Sequence, residues 1–215
     1  MIETIVDFIN FLIIIPFGVA VYYLSREDFN LKRSLSAVFI CYEVIKIVTT
    51  TYYSSKGVSL IWISYFEPII STALKLGIIT PNELGLGIKR KQAIIFLVAC
   101  VFLSSVIDYN KADTLIRFAV MPNTIGAFVV ICMAYISRKY RAEKGKLMIS
   151  LDPVYWLSTS LYAYYTMTVI IIMLYNTIML WGNHALQVAF LMNKIFYLTL
   201  IIIPFSIALT KKEWD

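Results

Sequence analysis

Seven long apolar stretches, separated by short polar connections, limit what this chain can fold into. A membrane-spanning helix needs about 20 predominantly apolar residues, and the stretches come close to that length. The 215 residues are 60% hydrophobic and 15% charged, whereas soluble domains carry about 25% charged residues. We therefore predict an all-α, polytopic transmembrane helix bundle that forms a single domain over residues 1–215, with seven spans at 4–25, 34–54, 58–79, 93–109, 114–136, 154–181 and 186–208.

Connections that are rich in basic residues alternate along the chain with connections that are poor in them, and this pattern predicts the orientation. Lys and Arg concentrate on the cytoplasmic side of membrane proteins. We therefore predict a multi-pass protein of the cell (inner) membrane, with the N-terminus outside and the C-terminus in the cytoplasm. The outer side has Lys56, Lys111 and Arg117. The inner side has 14 basic residues: Arg26, Lys32, Arg33, Lys75, Lys89, Arg90, Lys91, Arg138, Lys139, Arg141, Lys144, Lys146, Lys211 and Lys212.

Two short motifs predict where helices begin. In Thr80-Pro81-Asn82-Glu83, a threonine N-cap is followed by proline at the first helical position and by a glutamate that reaches back to the cap. Asp152-Pro153 gives the same signal of cap and proline before the sixth apolar stretch. Both motifs place a helix start on the predicted cytoplasmic side.

Four ionisable residues fall deep inside the predicted spans: Glu43, Lys46, Glu67 and Lys194. A charge at the centre of a bilayer costs about 2.5–3.5 kcal/mol on insertion scales, so such residues are paired, wetted or neutralised. Glu43 and Lys46 are three residues apart and share a helix face, which allows them to pair. Glu67 then needs a partner from another helix, and we nominate Lys194 first and Lys46 second.

This predicted intramembrane charged site has three interpretations. It is a buried polar lock between helices, an ion or proton pathway, or a ligand-sensing pocket, and the sequence favours the lock. Asn123 and Asn176 are candidates to join the site. The sixth stretch adds hydroxyl-bearing side chains at helical spacing, which we expect to face neighbouring helices rather than a wet cavity. They are Ser160, Tyr164, Thr168 and Tyr175 on one face, and Ser158, Tyr162 and Tyr165 on the next.

The placement of Lys194 and Glu67 resembles that in microbial rhodopsins, which carry a retinal lysine in the seventh helix and a carboxylate counterion in the third. The resemblance implies a retinal site and the same orientation. Two positions depart from the pattern of that family. Phe190 stands four residues before the lysine, where an acid is usual, and Ser64 stands three residues before the acid, where arginine is expected. We therefore assign the chain to no family.

Sequence signatures of catalysis are missing. A single histidine, His184, and three scattered cysteines supply neither a zinc-ligand set nor a disulfide framework. The sequence contains no nucleophile-elbow or P-loop motif. We therefore predict a non-enzymatic protein with no metal, no cofactor and no catalytic residue.

The densest group of positive charges follows the fifth stretch, and we name it the cytoplasmic basic patch. Topology and anionic lipid account for much of such a patch, since each basic residue near the surface gains about 1 kcal/mol. A cytosolic protein partner is the sharper interpretation, whereas the short connections argue against direct nucleic-acid binding. The patch consists of Arg138, Lys139, Arg141, Lys144 and Lys146.

Two classes of function agree with these patterns. The first is a membrane sensor or anchor that signals through a separately encoded cytosolic partner. By analogy, it suits a bacterial stress or antiviral (phage-defence) system. The second is a small ion or proton channel or transporter that uses the midplane charges. The lipid bilayer is the expected partner in both classes, and a homo-oligomer agrees with either.

Overall fold

The computed structural model describes residues 14–25, 30–56, 61–81, 89–111, 120–144, 152–174, 180 and 182–197. These residues form seven α-helices and no β-strand, which confirms the predicted all-α fold class. One helix lies on each predicted apolar stretch. The helices are α1 (Ile14–Leu24), α2 (Leu31–Ser55), α3 (Ile61–Ile79), α4 (Arg90–Lys111), α5 (Val120–Lys144), α6 (Pro153–Met173) and α7 (Asn183–Tyr197).

Side-chain caps fix the starts of two helices. The Asp152 carboxylate accepts hydrogen bonds from the backbone N–H groups of Val154 (2.9 Å) and Tyr155 (3.2 Å), which confirms the predicted cap of α6. Asn30 caps α2 in the same way, because its side-chain oxygen accepts from the N–H groups of Lys32 and Arg33. Such caps satisfy backbone donors that have no partner within the helix. The predicted start at 80–83 continues into residues 82–88, which lie outside the described part.

Helix α3 occupies the centre of the described bundle, since it contacts α2, α4, α5 and α6. The contact between α3 and α5 is close because Gly126 faces Thr72. A Cβ atom at Gly126 would lie 3.0 Å from the Thr72 hydroxyl oxygen. Helices α5 and α6 pack along each other, α1 packs on α2, and α7 packs on α6. The fully buried apolar side chains between them include Phe39, Ile40, Leu76, Ile78, Ile79, Val130, Leu157 and Leu161.

Large apolar side chains also cover the outside of the helices. On α4, Ile95 and Phe96 are each 68% exposed and Leu103 is 58% exposed. Extended exposed apolar surface indicates contact with protein or membrane. Helices α4 and α5 are long and apolar enough to cross a membrane, over Arg90–Tyr109 and Met121–Glu143. Two helices of the described part could therefore be membrane spans.

Candidate functional site

Three of the four charged residues singled out in the sequence meet between α2 and α3. One helical turn on α2 places Glu43 and Lys46 on the same face. The Lys46 Nζ lies 2.7 Å from Glu43 Oε2 and 3.0 Å from Glu67 Oε1. Lys46, the second nominee as partner of Glu67, is thus in contact with it. The side chain of Lys194, the first nominee, lies outside the described part of the chain.

The two carboxylates of this triad (Glu43, Lys46 and Glu67) differ in exposure. The Glu43 side chain is 2% exposed, whereas those of Lys46 and Glu67 are 26% and 22% exposed. Glu43 Oε1 is buried without a hydrogen-bond partner. The triad therefore has one buried acid, Glu43, and one acid that is accessible from outside the bundle, Glu67. A single lysine links them.

A fourth charged residue, Lys75, lies inside the bundle, and its assignment to the inner connections was wrong. Lys75 is 2% exposed on α3, two helical turns after Glu67. Its ammonium donates hydrogen bonds to the hydroxyls of Ser71 and Tyr165. It also lies 5.2 Å from the ring centre of Phe39 and 4.9 Å from that of Tyr165. Aromatic faces stabilise cations, so two hydroxyls and two rings replace the water that this lysine loses.

Tyrosines from three helices surround the charged side chains. Tyr42 on α2 lies within electrostatic range of Glu67, Lys46 and Glu43. The Tyr197 hydroxyl on α7 is buried beside the Glu43 carboxylate, although the two make no hydrogen bond of good geometry. Tyr164 on α6 packs edge-on against Tyr197, with ring centres 5.4 Å apart. The site is therefore lined by phenols, which give and accept hydrogen bonds.

Several hydroxyl groups of α6 contact neighbouring helices, which agrees with the packing interpretation. Ser158 donates a hydrogen bond to Ser137 of α5 at 3.1 Å. Thr168 and the side-chain oxygen of Asn193 on α7 are 3.3 Å apart. Three further members also have interhelical or local contacts. Tyr165 accepts from Lys75, Tyr162 lies under Arg138, and Ser160 donates to its own helix. Tyr175 and Asn176 lie outside the described residues, and Asn123 is exposed on α5 rather than in the site.

Charge balance decides what the site can do. The triad alone carries one excess negative charge. Lys75 lies within electrostatic range of both carboxylates and brings the four groups to neutrality. Buried charges are stable only when they are paired and hydrogen-bonded. A proton or a small cation that enters the triad would therefore compete with Lys46 for the two carboxylates.

The cytoplasmic basic patch divides into inward and outward residues. Arg141 forms a 2.6 Å ion pair with Asp152, which joins the end of α5 to the start of α6. The Arg138 guanidinium lies 5.4 Å from the ring centre of Tyr162. Lys139 points outward, 65% exposed, and lies 4.0 Å from Glu143. The Lys144 side chain and Lys146 lie outside the described residues.

Sequence reasoning missed Lys75, and the signal that could have found it is a spacing. Glu67, Ser71 and Lys75 are four residues apart along α3 and therefore share one helix face. We name them the α3 stripe. A polar stripe of this kind predicts contact with protein, because charged groups that face lipid are costly.

Comparisons of the chain with protein-family models, with curated proteins and with solved structures found no match. Among the described residues, no three His, Cys, Asp or Glu side chains are grouped so that they could hold a metal ion.

Proposed function

We propose that this protein is a multi-pass protein of the inner membrane that moves protons or small monovalent cations through the site formed by Glu43, Lys46 and Glu67. The observation that carries the proposal is that Lys46 pairs with both the buried Glu43 and the more accessible Glu67. Ionisable residues within membrane helices that face a bundle interior commonly mark ion paths and proton relays.

The membrane part of the proposal rests on all seven apolar stretches and on the alternation of basic residues. The large exposed apolar side chains of α4 support it. A reporter that is active only in the cytoplasm tests it. We expect activity when the reporter is fused after Asp215 and none when it is inserted at Asn183. The reverse result would contradict the orientation, and activity at both sites would contradict seven spans.

The transport part rests on competition for the carboxylates. A cation that reaches the accessible Glu67 displaces Lys46 toward Glu43, and the charge of the triad is then balanced by the incoming ion. Departure of the ion restores the original pairs. Because the same lysine serves both acids, occupancy of Glu67 and the position of Lys46 are linked.

Flux through liposomes tests this proposal. The purified chain is reconstituted, and influx of protons, Na⁺ or K⁺ is followed with dyes selective for each ion. We expect flux of one of these ions, and a loss of that flux in Glu67→Gln, which keeps the shape but removes the charge. Glu143→Gln is the matched control, because Glu143 is 66% exposed and outside the site. No flux from the wild-type protein, or full flux from Glu67→Gln, would contradict the proposal.

A second candidate is a membrane sensor or anchor that works with a cytosolic partner. The observation in its favour is that Lys89, Lys91 and Lys139 remain exposed on connections or helix ends of the predicted inner side. We expect one cytosolic protein to co-purify in a fixed ratio with the wild-type chain. Replacing all three lysines with Gln should weaken this complex, most clearly at low salt. An unchanged complex would show that these charges only set the orientation.

A further inference from the structure

The α3 stripe and Tyr165 form a second polar site that the triad does not explain. Ser71 is 3% exposed and Lys75 is 2% exposed, so neither side chain is solvated by bulk water. From Glu67 to Lys75 the helix rises about 12 Å, at about 1.5 Å per residue. In the predicted orientation Lys75 lies on the cytoplasmic side of Glu67. The stripe thus continues the charged site along the direction that a transported ion must take.

The chemistry of the stripe discriminates between ions. A metal cation that moves from Glu67 toward the cytoplasm meets the positive ammonium of Lys75, whose contacts are two hydroxyls and two aromatic faces. Those groups offer no carboxylate to hold the metal against this repulsion. A proton needs no space of its own, because a hydroxyl can accept one proton on one side and release another on the other side.

We propose that the transported species is the proton, and that Lys75 is a second carrier that exchanges a proton with Glu67 through the Ser71 hydroxyl. The proposal rests on the proposed transport function and names its substrate. In the exchange, the Lys75 ammonium becomes an amine and the Glu67 carboxylate becomes a carboxylic acid, so one proton moves and the total charge is unchanged. The neutral pair suits the interior, where burial penalises separated charges.

The charged and phenolic groups around Lys75 set the charge balance of such an exchange. Glu43, Lys46, Glu67 and Tyr164 lie within electrostatic range of Lys75. The first three also lie within range of Tyr165, the phenol partner of Lys75. Tyr42 and Tyr197 lie near the carboxylates as well. When Glu67 takes up a proton, Lys46 remains beside Glu43. When that proton comes from Lys75, Glu43 and Lys46 are left as a balanced pair, so the exchange itself creates no unpaired charge in the site.

Proton influx into liposomes, with K⁺ and valinomycin present to remove the membrane potential, tests the proposal with three variants. Lys75→Met removes the exchangeable proton and should lower the initial flux by about tenfold or more. Lys75→Arg keeps the positive charge and the donors but does not release its proton at ordinary pH, so we expect the same loss. Lys56→Met, at an exposed lysine just after the end of α2 and outside the site, is the matched control and should keep wild-type flux.

The outcomes separate this inference from the proposed function. If the wild-type chain carries Na⁺ or K⁺ but not protons, or if Lys75→Met keeps its proton flux, the second carrier is refuted and transport through the triad stands. If Lys75→Arg keeps wild-type flux, Lys75 acts as a fixed charge and the exchange is refuted, even when Lys75→Met fails to fold. If the wild-type chain carries no ion, both proposals fall.

Discussion

Two of the ion-paired groups in the described part of the chain have opposite surroundings, one largely buried and the other exposed. Between α2 and α3, Lys46 bridges Glu43 and Glu67 at 2.7 and 3.0 Å, with side chains that are 2% to 26% exposed. At the end of α5, Lys139 and Glu143 lie 4.0 Å apart and are 65% and 66% exposed. Exposed pairs contribute about 0–1 kcal/mol because water screens them. Both groups pair Lys with Glu, so we expect burial, rather than residue type, to determine how strongly such charges constrain the fold.

The largest effect should come from removing the lysine that both acids share. Lys46→Met leaves Glu43 and Glu67 without their common partner. Breaking a buried pair typically costs about 3–5 kcal/mol, and we expect the lower end of that range because Lys46 is a quarter exposed. Chemical unfolding in detergent micelles measures the loss. A loss similar to that of Lys139→Met would show that the two regions do not differ as proposed.

Restoring the charge balance should recover part of that loss. Glu67→Gln alone leaves a single Glu43–Lys46 pair, so we expect a smaller effect than for Lys46→Met. In the double variant Lys46→Met, Glu67→Gln, one of the two stranded acids is gone. Interaction energies between contacting residues are about 0.5–3 kcal/mol in double-mutant cycles. Additive losses would mean that Lys46 and Glu67 are neighbours without energetic coupling.

A third prediction concerns the half-buried pair that joins α5 to α6. Asp152→Ala removes both the helix cap and the partner of Arg141, and losing a cap alone costs about 0.5–2 kcal/mol. Asp152→Asn keeps an oxygen for the Val154 and Tyr155 N–H groups and loses only the charge. We expect Asp152→Asn to be the milder variant in thermal unfolding. Equal losses would assign the whole effect to the ion pair.

The smallest effect belongs to the exposed pair. Lys139→Ala should change the free energy of unfolding by less than about 0.5 kcal/mol, as is usual for exposed positions away from special features. Raising the salt concentration should not alter this result. A loss above 1.4 kcal/mol, a factor of about ten in the folding equilibrium, would indicate that Lys139 has a buried partner in the assembled protein.

The helices and the composition of the triad were largely predictable from the sequence. Apolar stretches of membrane length indicated seven helices. Helix α2 begins at Leu31, three residues before the predicted start at 34, where Asn30 caps it. Glu43 and Lys46 share a face by helical geometry alone. The Asp152 cap followed from its position before a proline. These features depend on neighbours along the chain, which a sequence displays directly.

The partner of Glu67 and the burial of Lys75 required the tertiary structure. Nominating Lys194 ahead of Lys46 assumed that Glu43 would use up the charge of Lys46, whereas the ammonium reaches two carboxylates at once. Lys75 lies one turn from the end of α3, where a long side chain ordinarily reaches water. Phe39 of α2 and Tyr165 of α6 enclose it instead.

The sequence by itself determined an all-helical chain with seven apolar helices, an asymmetric distribution of basic residues and a small set of costly interior charges. Only the tertiary structure decided which of those charges meet, and it turned Arg141 from a member of a surface patch into a link between α5 and α6. The reason is physical. Helix formation and hydrophobic burial follow local periodicity, but the energy of a charge depends on the side chains that neighbouring helices bring around it.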